Sequence, residues 1–310
     1  MSPALSWPPP LHHGDRVALV AASSALVGPG VVERLEAGIA VLEAWGLEVE
    51  RRALEQRSWG YLAGRDQERA QDLLRADQVG AGLLACLRGG WGAARLLEQP
   101  LALQARWLLG FSDVTALLWS QLAQGKGGGI HGPLLSTLAA EPAWSQERLR
   151  ALLFGAPVSD LQGVGWRDGV AEGHLLAANL TVATHLLGTP HVPELRGAIL
   201  VLEDVGEAPY RIDRMLTQWR LSGALRGLAG IGLGRFTGCG DPEDQSGDAA
   251  RDGDRATRFS VEEVLRERTA DLGVPVLAEL PVGHAVGNGA LPLGRRARLD
   301  ASEGRLTLLD

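Results

Sequence analysis

Several apolar runs in the chain end abruptly in a polar or glycine cluster, and chemistry would sit at such ends. In an open α/β sheet, strand ends present free backbone groups, and the following helix N-termini favour negative charge. The first end is Leu108-Leu109-Gly110-Phe111-Ser112-Asp113. A strand that stops at a serine with a helix behind it can hold the hydroxyl on a sharp turn, as a nucleophile elbow does. The full G-x-S-x-G pattern is absent because position 114 is Val. Ser112 reads equally well as a plain N-cap that satisfies an orphan amide.

Arg88-Gly89-Gly90-Trp91-Gly92 is the second end. Its glycines allow backbone amides to converge on an anion, either an oxyanion or a phosphate. The other reading is a tight turn that needs positive φ. Neither a dinucleotide fingerprint nor a Walker lysine is present, since Lys126 lies in QGKGGG without the surrounding motif. Glu203-Asp204-Val205-Gly206-Glu207 closes the run AILVL and could supply a carboxylate that orients a histidine, or simply a loop acid. Just beyond it, Arg211 and Arg214 stand three apart on a helical stretch with Asp213 beside them. They could bind a carboxylate or pair with neighbouring acids.

The fourth end is Pro281-Val282-Gly283-His284. Of seven histidines, only His284 terminates a clean strand-like run. No His-x-x-x-His spacing occurs and the acidic stretch 241–254 has no histidine, so no metal centre is expected. Ser112, Glu203 and His284 therefore form a possible Ser–Glu–His set, which spacing alone cannot bring together.

The elements that would position these residues alternate strand and helix through residues 15–125. Apolar residues 17–22 read as a strand. Val32, Leu35, Ile39, Leu42 and Trp45 recur at helical spacing, with Gly46 as a C-cap. A strand start at 47–49, a helix at 67–75, strands at 82–87 and 107–110, a helix at 93–97 and an apolar segment at 114–122 follow. That alternation predicts a mostly parallel α/β domain over 14–150. Residues 130–140 and 146–154 read as helical or mixed. Glycines and prolines crowd residues 151–174, which read as a linker. A second domain over 175–310 would hold helices at 180–187, 211–225 and 259–269. Its strands would lie at 198–203, 230–236, 274–280 and 298–309, with an exposed loop at 238–254.

The 310 residues are 45% apolar and 22% charged, which implies a sizeable core. Thirty basic against 37 acidic residues give a formal charge of −7, and Lys126 is the only lysine. A nucleic-acid partner needs a concentrated basic face and is not expected. The N-terminus lacks the basic start and apolar run of a secretory signal, and no apolar stretch reaches about 18 residues. With only Cys86 and Cys239, a disulfide scaffold is excluded and a reducing cytoplasm is the simpler expectation.

The segments GDRVALVAASS (14–24), CLRGGWGAARLL (86–97), LLGFSDVTALL (108–118) and HGP (131–133) resemble the LD-carboxypeptidase family of serine peptidases. So do AANLTVATHLLGTP (177–190), LEDVGEAPYRIDRMLTQ (202–218) and LPVGHAVGN (280–288), in the same order along the chain. Cytoplasmic members of that family trim terminal D-alanine from murein tetrapeptides for peptidoglycan recycling. The resemblance implies a triad of Ser112, Glu203 and His284 and an oxyanion hole from the amides of Gly89 or Gly90 and Asp113. It implies an N-terminal Rossmann- or flavodoxin-like domain that bears the serine. A C-terminal strand-rich, β-barrel-like domain would bear the acid and base. It further implies a homodimer without a cofactor. Arg88, Trp91, Arg211 and Arg214 are the candidate substrate-binding residues. Ala177-Ala178-Asn179 stands where the family usually has Gly-Gly-Asn, and the 241–254 loop is long and acidic. A related branch hydrolyses peptide-nucleotide antibiotics of the microcin C type, and that activity is the alternative reading. A non-catalytic peptide-binding protein on the same scaffold is another.

Overall fold

The alternating side chains of β1 (Arg16–Val20) enter two different cores. Val17 and Leu19 face a core closed by Leu35, Ile39 and Leu42 of α1 (Val31–Ala44), whereas Ala18 and Val20 face the other way. This period of two is what a strand covered on both faces requires. The computed structural model describes residues 5–99, 101, 104–240 and 259–309, so the 241–254 loop lies outside the described residues.

Around β1 stand β2 (Glu48–Glu50), β3 (Leu83–Cys86), β4 (Trp107–Gly110) and β5 (Gly129–His131), all parallel. Helices α2 (Asp66–Val79) and α3 (Thr115–Ala123) lie between strands in the chain. After β5 come a short α4 (Leu135–Leu138) and α5 (Ala143–Leu153).

The second sheet contains β6 (Leu161–Gln162), β7 (Val164–Arg167), β8 (Val170–Asn179), β9 (Ala198–Val205), β10 (Gly230–Thr237) and β11 (Val276–Ala278). Helices α6 (Leu180–Leu186), α7 (Pro209–Ser222) and α8 (Val261–Thr269) connect its central strands. Chain then returns to the first sheet as β12 (Leu291–Pro292), antiparallel to β5, before β13 (Arg296–Asp300) and β14 (Arg305–Leu309) complete the second. The first sheet runs β12-β5-β4-β3-β1-β2 and the second β6-β14-β13-β8-β9-β10-β11-β7.

The molecule is thus an α/β fold with two sheets, and both have parallel centres. The outer strands of the second sheet, β6 and β7, are consecutive in the chain with only Gly163 between them, so that sheet curls towards its own edge. Its pairing describes a curled sheet and not a closed barrel.

Residues 151–174 do not form an unstructured link. They carry the end of α5, all of β6 and β7, and the start of β8. The glycines there serve close packing. A Cβ on Gly163, Gly165 or Gly173 would lie 2.5, 2.0 or 2.2 Å from the carbonyl oxygen of Ala278, Ala301 or Gly197. Two smaller expectations also change. Residues 93–98 form a 3-10 turn instead of an α-helix, and 130–140 split into the end of β5 and α4.

α3 joins the two sheets. Thr115 through Leu122 are all buried, as expected of a helix covered on every side. Trp119 packs edge-on against Trp219 of α7 at 6.2 Å and donates its indole N–H to the Ala177 carbonyl of β8 at 3.0 Å.

Candidate active site

Ser112 follows β4 by two residues and sits at φ 61°. Among the described residues, only Ser112 and Glu279 are non-glycine residues with positive φ. An L-residue held there is strained, and such strain persists only where the surroundings enforce it. Here Ser112 opens a 3-10 turn, Ser112–Val114, that leads directly into α3. Gly110 makes the turn possible, because a Cβ there would lie 2.8 Å from the Val114 side chain. The plain N-cap reading is therefore corrected. Phe111 occupies the cap position, and Ser112 is one residue inside with its hydroxyl on a sharp strand-to-helix turn.

The glycine loop after β3 lies against this turn. A Cβ on Gly89 would be 2.9 Å from both Cβ and Oγ of Ser112 and 3.6 Å from the Asp113 nitrogen. Gly90 has φ 108°, and a Cβ on it would strike Ser24 Oγ at 2.4 Å. Several bonds fix the loop. Ser24 donates its N–H to Gly89 O at 3.3 Å, and Trp91 donates its N–H to Ser24 Oγ at 3.0 Å. The buried Arg69 donates to Gly92 O at 2.9 Å and also to Ala22 O. Asp113 Oδ2 accepts the Ala93 N–H at 2.7 Å, which ties loop and serine turn together from behind. Burial pushes the Asp113 carboxyl up, against the pull of that amide. The N–H groups of Gly89, Gly90 and Asp113 donate to no protein acceptor among the described residues. They are available to an oxyanion at Ser112.

Glu203 and His284 meet across 81 residues of sequence. Glu203, near the end of β9, is fully buried, and His284 donates Nδ1–H to its Oε2 at 2.6 Å. A carboxylate can only accept, so this bond fixes the tautomer and leaves Nε2 free to take a proton. Gly283 lets the pair approach: its φ is 117°, and a Cβ would lie 2.8 Å from Glu203 Oε2. Burial pushes the Glu203 carboxyl up while His284 pulls it down. Glu207, the neighbouring acid, pairs with Arg211 at 3.4 Å instead. The Phe111 ring lies 4.6 Å from His284 on one side and 5.7 Å from His131 on the other. His131 is fully buried with both ring nitrogens unpartnered, and burial, with the nearby His284, holds it down at about 3.

Ser112, His284, Gly89 and Gly90 line one cleft of about 330 Å³. Leu26, Val27, Val31 and Leu134 form apolar walls, while Arg34, Arg88, Ser136 and Thr137 are polar. Arg88 donates to Ala25 O at 2.8 Å and Arg34 to Pro29 O at 3.1 Å. Neither guanidinium is in an ion pair among the described residues, so both retain donors for an anion. Of the other binding candidates, Trp91 is 40% exposed with its ring edge-on to His185. Arg211 and Arg214 lie over the Tyr210 ring on α7, and none of these three lines the cleft. Arg34 and Phe111 also line the cleft without a motif to mark them. Arg34 follows Gly28-Pro29-Gly30, a glycine cluster after β1 of the same kind as residues 88–92, and that cluster is its one signal in the sequence. The cysteines are no rival nucleophiles: burial pushes the Cys86 thiol up to about 12 and Cys239 to about 11.

Two family models match this chain: the LD-carboxypeptidase N-terminal domain over residues 17–132 and the LD-carboxypeptidase C-terminal domain over residues 172–299. A Synechocystis protein whose carboxypeptidase name is itself provisional is 48% identical over 307 residues, 97% of each chain. The murein tetrapeptide carboxypeptidase of Pseudomonas aeruginosa is 36% identical over 94% of each. Among solved structures, muramoyltetrapeptide carboxypeptidase from Oxalobacter formigenes superposes with a TM-score of 0.78 at 27% identity, covering 94% of this chain and 97% of that one. The microcin C7 self-immunity protein MccF superposes with a TM-score of 0.81 at 21% identity over 99% of each, a likeness of fold.

Proposed function

The chain belongs to the LD-carboxypeptidase family, a family of serine hydrolases, and from that premise we propose that it releases the terminal D-amino acid of a murein-type tetrapeptide. The observation that carries this reading is the bond between the buried Glu203 and His284, whose ring lines the same cleft as the strained Ser112. His284 Nε2 takes the Ser112 proton as Oγ attacks the carbonyl carbon of the scissile amide. Glu203 stabilises the imidazolium that results. The amides of Gly89 or Gly90 and Asp113 hold the oxyanion, each well-placed donor contributing about 3–4 kcal/mol. When the C–N bond breaks, His284 returns its proton to the departing amine. Water then attacks the acyl-serine ester, again through His284, and frees the acid and Ser112. Arg88 and Arg34 are the guanidiniums we assign to a substrate carboxylate. In this reading residues 14–150 bring the nucleophile and 175–310 the acid and base, in a cytoplasmic homodimer that serves cell-wall recycling.

A second reading is favoured by the fold likeness to MccF, a protein solved with aspartyl sulfamoyl adenosine and with glutamyl sulfamoyl guanosine. The same serine chemistry would then cleave an aminoacyl–nucleotide conjugate. One experiment separates them: mass spectrometry of D-alanine loss from disaccharide-tetrapeptide beside hydrolysis of a microcin-C-type conjugate, with Ser112→Ala as control. D-Alanine release abolished by Ser112→Ala supports the first reading. Preferential turnover of the conjugate supports the second. Binding of peptide with neither hydrolysis would leave only the non-catalytic reading.

A further inference from the structure

His284 stands in residues 281–290, a stretch without helix or strand between β11 and β12. β10 still pairs with its first residues, Arg235 donating its backbone N–H to Val282 O at 2.8 Å, but no ladder reaches residues 283–290, so other bonds must hold the ring on Glu203. Within the stretch, Asn288 Oδ1 accepts the Gly283 N–H at 3.0 Å, and Gly289 donates to Pro281 O at 2.6 Å. The remaining anchors reach in from elsewhere. Glu141, in the turn before α5, accepts the N–H groups of both Gly287 and Asn288 on one oxygen, at 2.7 and 2.9 Å. Ser145 donates to Asn288 O at 2.7 Å, and Arg148 donates Nε–H to Ala290 O at 2.9 Å, both from α5. From β10, Arg235 donates to Val286 O at 2.6 Å.

Glu141 differs from the other anchors. It is nine-tenths buried, and it is the one carboxylate in the set, accepting two consecutive amides of the residues that clasp Gly283. Charge-assisted bonds of this kind are about twice as strong as neutral ones, more so away from water. The path from Glu141 to the base is short: Glu141 to Asn288, Asn288 to Gly283, and Gly283 is the residue before His284. We propose that Glu141 is a positioning residue for the reaction, holding the turn of residues 283–288 so that His284 faces both Glu203 and Ser112. A group from the first half of the chain thereby sets the base contributed by the second.

The proposal rests on Ser112 and His284 being the reacting pair, and its test keeps the two apart. Covalent labelling of Ser112 by a fluorophosphonate probe needs that pair and no particular peptide. Absence of labelling in the wild type would overturn the reaction reading and this proposal with it. With the wild type labelling, Glu141→Ala is expected to lower both kcat and the labelling rate about 100-fold, the scale of a misplaced catalytic group, with KM within about twofold. Glu141→Gln retains an amide oxygen that can accept both N–H groups but loses the charge, so its rate should fall between those of Glu141→Ala and wild type. A Glu141→Ala protein that melts lower yet labels and turns over like wild type per folded molecule refutes the proposal. So does a Gln variant as impaired as Ala. If Glu141→Ala does not fold, Glu141→Asp decides. Shortened by one methylene, it should lose rate, and a wild-type kcat would overturn the proposal.

Discussion

Replacing His131 with leucine should make the folded chain resist acid. In the native structure the imidazole is fully buried with neither ring nitrogen bonded, and burial holds it at about 3, against an ordinary value of 6.5. The unfolded chain therefore takes up a proton below that ordinary value while the folded chain does not. Stability associated with His131 is fully present above about pH 6.5 and is lost as pH falls towards about 3. At ~1.4 kcal/mol per unit, the loss is about 2 kcal/mol at about pH 5 and approaches about 5 kcal/mol near pH 3. Glu203 and Asp113 run in the opposite sense, because burial raises both. The folded chain keeps their protons longer, so their stability is lost as pH rises above the ordinary carboxylate range. A single pH curve would mix these slopes. The difference between wild type and His131→Leu cancels the shared groups. Urea unfolding at a series of pH values should show that difference shifting by about 2 kcal/mol in favour of the variant between about pH 7.5 and 5. A difference independent of pH would mean that His131 titrates in the folded chain as it does in the unfolded one, and the reasoning from its burial would fail.

Adding one methyl group at Gly89 places a Cβ 2.9 Å from Ser112 Cβ and Oγ. Gly89→Ala should cut fluorophosphonate labelling and turnover about 100-fold or more, and unchanged rates would show that the loop does not press on the serine. Gly283→Ala meets Glu203 at 2.8 Å and must adopt φ 117°, so circular-dichroism melts should show a loss of about 1–3 kcal/mol alongside lost activity. Arg34→Ala should raise KM for a peptide with a free terminal carboxylate roughly 3–10-fold while leaving KM for its C-terminal amide unchanged. An equal effect on both peptides would remove Arg34 from carboxylate recognition.

What the sequence displayed and what it hid divide along a physical line. Ser112, Glu203 and His284 each stand just past an apolar run, and a local change of composition marks such ends. The glycines at 163, 165 and 173 misled for the same reason. A glycine run reads as a break in one dimension, but here the neighbouring strands' carbonyls occupy the space a Cβ would need. The buried half of β8, Leu175–Ala178, shows no alternation because both of its faces are covered. Glu141 was illegible in principle. Its partners lie 146 and 147 residues away, and nothing in Ala139-Ala140-Glu141-Pro142 separates it from an ordinary helix-start acid.

That long-range wiring would make the proposed site, assembled from two sheets, rigid enough for proton transfer. Two sheets joined only by a surface seam would let serine and histidine drift, and a displacement near 1 Å is enough to lose most of the rate. Here the serine turn runs straight into α3, and α3 is itself the shared core, with Trp119 bonded to β8 and packed on α7. Six residues after His284, the chain is tied to α5 through Arg148, and one residue later it joins β5 as β12. Parting Ser112 from His284 therefore means opening a core or breaking a strand pair, both of which cost more than a loop motion. Adjustment to substrate is left to the wall of the cleft formed by residues 26–34, where Val27 is 69% exposed and Arg34 reaches in from the first turn of α1. Substrate choice should accordingly vary with that wall while the reacting groups stay fixed.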